Sequence, residues 1–290
     1  MSLLTKESFT EAQPSELELF QLPPYQLGVE SISYEEIRPT SQVAGYNPIT
    51  FSLSGSNGMK YLDLKRSKLY VKLRVKHANV SSSNTCSPYK SYIKSLLCYG
   101  QDAKATQLTS MLFYKDRSGH MDSLTTNTGA YERRKFISAS KNVDLQGPLY
   151  HELFQMDRYL LNMTDVCLKL FRNKPSFCLM SDEENPNYDI IIEDIAIKVC
   201  KIRVNPAIIY AHSLALQKSN AKYPYTKSAI KHLSLVKGST NAILENLFQD
   251  VKPQRIIMGM TSSNRVNGDY QLNPWNFKNY DLQQVTMYCD

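Results

Sequence analysis

The sequence predicts a mainly β protein of the sandwich class, with short helical excursions between its strands. Residues 68–77 alternate Leu or Val with Tyr, Lys or Arg, which is the period of two of a half-buried strand. Residues 189–204 form a second long strand-like run, and shorter runs recur between turn signals. Strands and helices do not alternate regularly, so a parallel doubly wound sheet is not expected.

Residues 1–45 are predicted to form an extended N-terminal arm. Pro23, Pro24 and Pro39 disfavour a central strand or a helix in this part of the chain. The apolar side chains of the arm could pack on their own domain or embrace a neighbouring subunit, and the neighbour is favoured. Glu35 and Glu36 are expected in a loop, in contact with water.

Residues 46–204 are predicted to form a first sandwich domain. A short strand at 49–53 precedes the long strand at 68–77. Between 89 and 116 the apolar residues follow a helical period, which predicts two short helices broken near Gly100. A further helix is expected at 130–137, with Arg133, Arg134 and Lys135 facing water.

Strands are expected to resume after this helical excursion. The sequence predicts a chain break at Gly147 and Pro148, a strand at 165–172 and a shorter one at 177–180. In residues 189–204 the apolar parity changes at Cys200 and Lys201, which predicts a β-bulge there.

The C-terminal part begins with a helix start signal. Asn205 is a preferred capping residue and Pro206 suits the first turn, so residues 205–220 are assigned to a linking helix. Strand signals return at 228–236, 255–260 and 282–288, and residues 221–290 are assigned to a second, partial domain.

Charge and composition argue against several classes of partner. The net charge is +7, but Lys and Arg are spread along the chain, so nucleic-acid contact is expected to be weak or none. The first 20 residues lack the pattern of a secretory signal, and no run approaches the ~18 apolar residues of a membrane helix. A protein that is neither secreted nor bound to a membrane is expected.

No catalytic, cofactor-binding or metal-binding residue is predicted, and no cofactor. The phosphate-binding glycine motifs are missing, and His151 with Glu152 lacks the second histidine of a zinc-protease motif. The six cysteines have no zinc-ligand spacing and are expected to be free thiols. Glu193 and Asp194 interrupt an apolar strand and are expected to face water or a partner. The other histidines are scattered: His77, His120, His212 and His232.

Seven segments, in order, resemble the major capsid protein of Polinton (Maverick) elements and of adintovirus-like viruses. They are residues 19–39, 48–64, 69–77, 96–116, 177–181, 211–225 and 273–282. The resemblance implies a viral double jelly-roll, which is two eight-stranded sandwiches in tandem. Residues 46–204 would form the first jelly-roll, 205–220 the linking helix and 221–290 an incomplete second jelly-roll.

The same resemblance implies a structural role without enzyme activity. The chain would self-associate into trimeric capsomers of an icosahedral virus-like shell, with a minor capsid protein as a further candidate partner. It would reside in the virion after assembly in the host nucleus or cytoplasm. The alternatives are a minor capsid protein of the shell vertices and a domesticated β-sandwich binding module.

Overall fold

The computed structural model of the chain describes residues 28–43, 45, 47–55, 59–77, 88–245, 247–248 and 253–286. Within these residues the chain forms six strands. They are β1 (Val29–Ile37), β2 (Ile49–Leu53), β3 (Lys60–His77), β4 (Val143–Pro148), β5 (Val166–Leu170) and β6 (Tyr188–Val204). The predicted strands at 49–53, 68–77, 165–172 and 189–204 are confirmed, and β4 ends where the break was predicted.

The described residues also form six α-helices. They are α1 (Tyr89–Cys98), α2 (Gln101–Ala105), α3 (Thr128–Ile137), α4 (Pro175–Cys178), α5 (Pro206–Lys218) and α6 (Ser263–Asn267). Short 3₁₀ helices lie at Gln107–Met111, Ser138–Ser140 and Glu152–Gln155. The helical excursion, its break at Gly100 and the helix that begins after Asn205 are therefore confirmed.

The strands form two antiparallel sheets. One has four strands in the order β1-β6-β3-β4, and the other pairs β2 with β5. The fold is thus mixed, with antiparallel sheets and several helices. The long strands β3 and β6 lie side by side at the centre of the larger sheet. Apolar and polar residues alternate along both strands, so each has an apolar face that can be buried.

The two sheets share one hydrophobic core. Phe51 and Leu53 of the small sheet pack in the same cluster as Leu62, Ile197 and Val199 of the large sheet. Each of these five side chains is fully buried. Burial of a large apolar side chain contributes about 1.5–3 kcal/mol, so this cluster holds the sheets together.

The sequence predicted a bulge in β6 at Cys200 and Lys201, but the bulge lies opposite them in β3. Asp63 pairs with Cys200 and Lys68 with Lys198, so five steps along β3 match two along β6. The extra residues therefore lie in β3, while β6 pairs regularly with β1 across Cys200 and Lys201, from Ser31 opposite Arg203 to Ile37 opposite Ile197. Ser67 secures the bulge, since its hydroxyl donates to the Asp63 carbonyl at 2.8 Å and accepts from the Cys200 N–H at 3.0 Å. The parity change in β6 arises because its partner strand bulges.

Part of the predicted arm is a strand. Residues 29–37 form β1, an edge strand hydrogen-bonded to β6, so Glu35 and Glu36 do not lie in a loop. Pro39 lies just beyond the end of β1, where a missing N–H costs nothing to the ladder. At these residues the arm packs on its own chain. The earlier part of the arm, residues 1–27, lies outside the described residues.

Other expected strands are absent from the described residues. Residues 177–180 overlap the one-turn helix α4, because Pro175 occupies its first turn. Neither 228–236 nor 255–260 forms a strand, and the same holds for the described part of 282–288. An alternating pattern needs a neighbouring strand to bind its backbone groups, and none of the described strands pairs with these segments.

Candidate interaction surface

The histidines of the described residues lie apart from one another, each in its own surroundings. No group of three His, Cys, Asp or Glu side chains there could hold a metal ion. Each histidine has its own neighbour instead. His77 lies beside Tyr188, His120 beside Thr126, His212 beside Tyr61 and His232 beside Tyr89, while His151 caps a 3₁₀ helix.

The strand β1 is fixed to β6 by two ion pairs. Lys201 is 1% exposed, and its ammonium lies 2.7 Å from the half-exposed Glu35 carboxylate. Arg203 pairs with Glu30 at 3.0 Å. A buried ammonium group requires a counter-charge, so Glu35 is a structural residue here.

The outer face of the large sheet is polar and internally paired. Arg38 pairs with Asp194, and Arg74 pairs with Glu193 at 2.6 Å. The two carboxylates expected to face water or a partner are therefore bound by arginines of the same chain.

A polar network ties the C-terminal part of the chain to the helical excursion. The Asp122 carboxylate accepts hydrogen bonds from Arg265 Nη2 at 2.6 Å, Asn276 Nδ2 at 2.8 Å and the Asn273 backbone N–H at 2.9 Å. Asn273 is 1% exposed, and its amide donates to Asp116 at 3.1 Å. These bonds fix how the segment around Asn273 lies against the loop that carries Asp116 and Asp122, although the buried Arg265 Nε makes no hydrogen bond.

Arg133 belongs to the same region and does not face water as predicted. Its guanidinium pairs with Asp116 at 2.5 Å and donates to the Tyr114 carbonyl at 2.7 Å. The Asp116 side chain is only 3% exposed, so the arginine compensates a buried charge. This role anchors α3 to the loop before it.

An aromatic cluster reinforces the polar network. Trp275 stacks on Tyr92 of α1, with ring centroids 4.5 Å apart, and meets Tyr89 edge-on at 5.4 Å. Phe177 of α4 meets the same indole at 5.6 Å. Burial, with a smaller contribution from Asp116, raises the pKa of Tyr92 to about 12. The cluster therefore packs the segment around Trp275 against α1 and α4.

Glu152 is a buried carboxylate with a structural partner. Its side chain is 13% exposed and pairs with Lys90 of α1. Desolvation alone would raise its pKa, but hydrogen bonds from Lys90 and from the backbone N–H groups of Glu152 and Ser228, with the Lys90 charge, lower it to about 2. Glu152 thus holds residue 228 close to α1.

The described part of residues 206–264 differs from the rest of the chain in its exposure to solvent. We call it the C-terminal apolar tract. None of its described residues is buried. Single exposed apolar residues are ordinary, but a long run of them marks an interaction surface. The large apolar side chains that are at least 40% exposed are Tyr210, Leu214, Leu216, Tyr225, Ile230, Leu233, Leu235, Val236, Ile243, Leu244, Ile256, Ile257 and Met258.

An apolar groove runs beside the start of this tract. It encloses about 360 Å³ between the end of β6 and the first turns of α5. Its lining residues are Met59, Arg203, Val204, Pro206, Ile209, Tyr210 and Ser213. The sequence predicted no interface residue here. The sequence feature that indicates an interface here is that α5 has no Asp, Glu, Lys or Arg before Lys218.

No helix in the described part of the chain is long and apolar enough to cross a membrane.

Comparison with known proteins gives one distant likeness. The chain is 24% identical over 249 residues to an uncharacterized protein of Caenorhabditis elegans. The match covers 84% of this chain and 57% of that protein, so the chain spans little more than half the length of this relative. No protein-family model matches the chain, and no solved structure matches it.

Proposed function

We propose that this chain is a structural capsid protein that acts by associating with copies of itself. In this proposal its two sheets belong to a jelly-roll of the viral double jelly-roll type. The capsomer is a trimer, and trimers assemble into an icosahedral shell. No residue performs catalysis, and the chemistry of the protein is the burial of surface between subunits.

The observation that carries the proposal is the exposure of the C-terminal apolar tract. None of the described residues of this tract is buried, and Leu233, Leu235 and Ile257 are each about half exposed. Permanent assemblies bury roughly 2,000–5,000 Å² per interface and use apolar surface for it. The exposed apolar side chains of the tract offer surface of this kind.

Two further features support the capsid class in particular. One is the ordered resemblance of seven segments to the Polinton and adintovirus-like major capsid protein. The other is the pair of antiparallel sheets with one common core, an architecture compatible with a jelly-roll. The polar, internally paired outer face of the large sheet suits a wall that meets water.

The proposal is tested on the full chain by light scattering after size-exclusion chromatography and by negative-stain electron microscopy. We expect a defined oligomer with the mass of three chains, and closed particles at higher concentration. A monodisperse monomer at every concentration would contradict the proposal. Salt-sensitive retention on DNA without oligomers would favour a binding module instead.

A further inference from the structure

The composition of α5 is that of a helix buried in a protein interior. Its sequence from Pro206 to Lys218 carries no Asp, Glu, Lys or Arg until the last residue. Apolar side chains lie around its circumference rather than along one stripe. A helix that is apolar all round is normally covered on all sides. In this chain, however, no residue of α5 is buried.

The helix is nevertheless held in a fixed position. The Asn205 side chain accepts a hydrogen bond from the Ala207 N–H at 2.9 Å and caps the first turn. In the second turn, His212 Nδ1 lies 2.8 Å from the Tyr61 hydroxyl, and the two rings are stacked at 5.8 Å. Tyr61 is 3% exposed and belongs to β3. The sheet therefore presents α5 in one orientation.

We infer that α5 is the surface through which this chain binds a second copy of itself, with the α5 helices of neighbouring subunits packed together around a symmetry axis. This inference rests on the proposed function, because it names the contact by which the subunits associate.

The surface of α5 suits a second copy better than a charged partner. A partner rich in Asp, Glu, Lys or Arg would bury its charges against side chains that cannot pair with them. A second α5 carries the same uncharged surface, and closed symmetry around a three-fold axis brings one α5 from each of three subunits together.

The packing chemistry of α5 also fits a helix partner. Ala207, Ala211 and Ala215 recur at intervals of four, so they share one face and allow a close approach of helices. Tyr210 and Leu214, which are 66% and 43% exposed, flank that face with larger apolar side chains.

The experiment measures the mass of the full chain by light scattering across a concentration series. The test variants are Leu214→Glu, which places a charge in the interface, and Ala211→Leu, which adds bulk without charge. The matched control is Leu97→Glu on α1, a leucine that is 61% exposed on a different helix. Circular dichroism of each variant establishes that the fold is retained.

We expect both α5 variants to weaken association by at least about tenfold, while the control associates as the natural chain does. Association that is unchanged in both α5 variants would overturn this inference and leave the proposed function standing. Equal weakening by Leu97→Glu would also overturn it. A natural chain that stays monomeric would overturn the proposed function, and the inference with it.

Discussion

The polar network around Asp122 provides a sharp test of how the C-terminal part of the chain is held. The substitution Asp122→Ala removes the acceptor of three hydrogen bonds, one of them from the Arg265 guanidinium. Arg265 is 6% exposed, so its charge would remain buried without its carboxylate partner.

The expected loss of stability follows from these exposures. Removing one partner of a fully buried ion pair costs about 3–5 kcal/mol. The Asp122 side chain is 32% exposed, so solvent compensates part of the cost. We therefore expect the free energy of unfolding to fall by about 2–3 kcal/mol.

The matched control is Asp157→Ala. The Asp157 side chain is 83% exposed and pairs with Lys65, which is 55% exposed. Exposed pairs contribute at most about 1 kcal/mol, so this variant should change stability little. The comparison holds the chemical change constant and varies only the burial of the pair.

Urea unfolding measures both variants with two probes. Trp275, the one tryptophan of the sequence, reports on the segment attached by Asp122, and far-ultraviolet circular dichroism reports on the sheets. In Asp122→Ala the fluorescence transition should come at lower urea than the dichroism transition. If both aspartate variants lose the same stability, or the two transitions coincide, the reasoning about the network is wrong.

Three further predictions concern single sites. The pKa of Glu152 is lowered to about 2 in the fold, so its charge contributes up to about 3 kcal/mol to the free energy of unfolding above pH 4.5. This contribution is lost as the pH falls toward 2. In urea titrations, Glu152→Gln should lower stability at pH 7 and flatten this acid dependence. Gly129→Ala should destabilise by about 1–3 kcal/mol, since its Cβ would lie 2.7 Å from the Lys115 carbonyl oxygen. The control Gly100→Ala, whose Cβ meets nothing within 4 Å, should be neutral or stabilise by about 0.5 kcal/mol in thermal melts. Phe51→Ala should cost about 3–5 kcal/mol, and an unchanged urea midpoint would contradict its place in the core.

Local sequence patterns predicted correctly those strands and helix ends that depend mainly on their own side chains. The alternation at 68–77 and 189–204 predicted β3 and β6, and the Asn205 cap predicted the start of α5. The same alternation failed at 228–236. A strand also needs a partner for its backbone, and the pattern of one segment carries no information about its neighbour. The bulge was misplaced for the same reason, because its cause lies in β3.

The interior contacts of the C-terminal part could not be predicted. Asp122 and Asn273 are 151 positions apart, and neither belongs to a recognisable motif with the other. Polar residues in loops are ordinarily expected to face water, so nothing in the local sequence indicates that these two are buried. The interaction surface has a different signal, which is the absence of charged side chains from α5 before Lys218.

The central ladder of the large sheet has a consequence for biosynthesis. Its two strands, β3 and β6, are separated in the chain by the helical excursion, β4 and β5. At ribosomal rates, roughly 5–20 s pass between the emergence of one and that of the other. During that interval β3 is a long, half-apolar strand without its mate, a state that is prone to mispairing with other nascent chains. Cells that make this polypeptide in quantity should therefore depend on chaperones that hold β3 until β6 arrives.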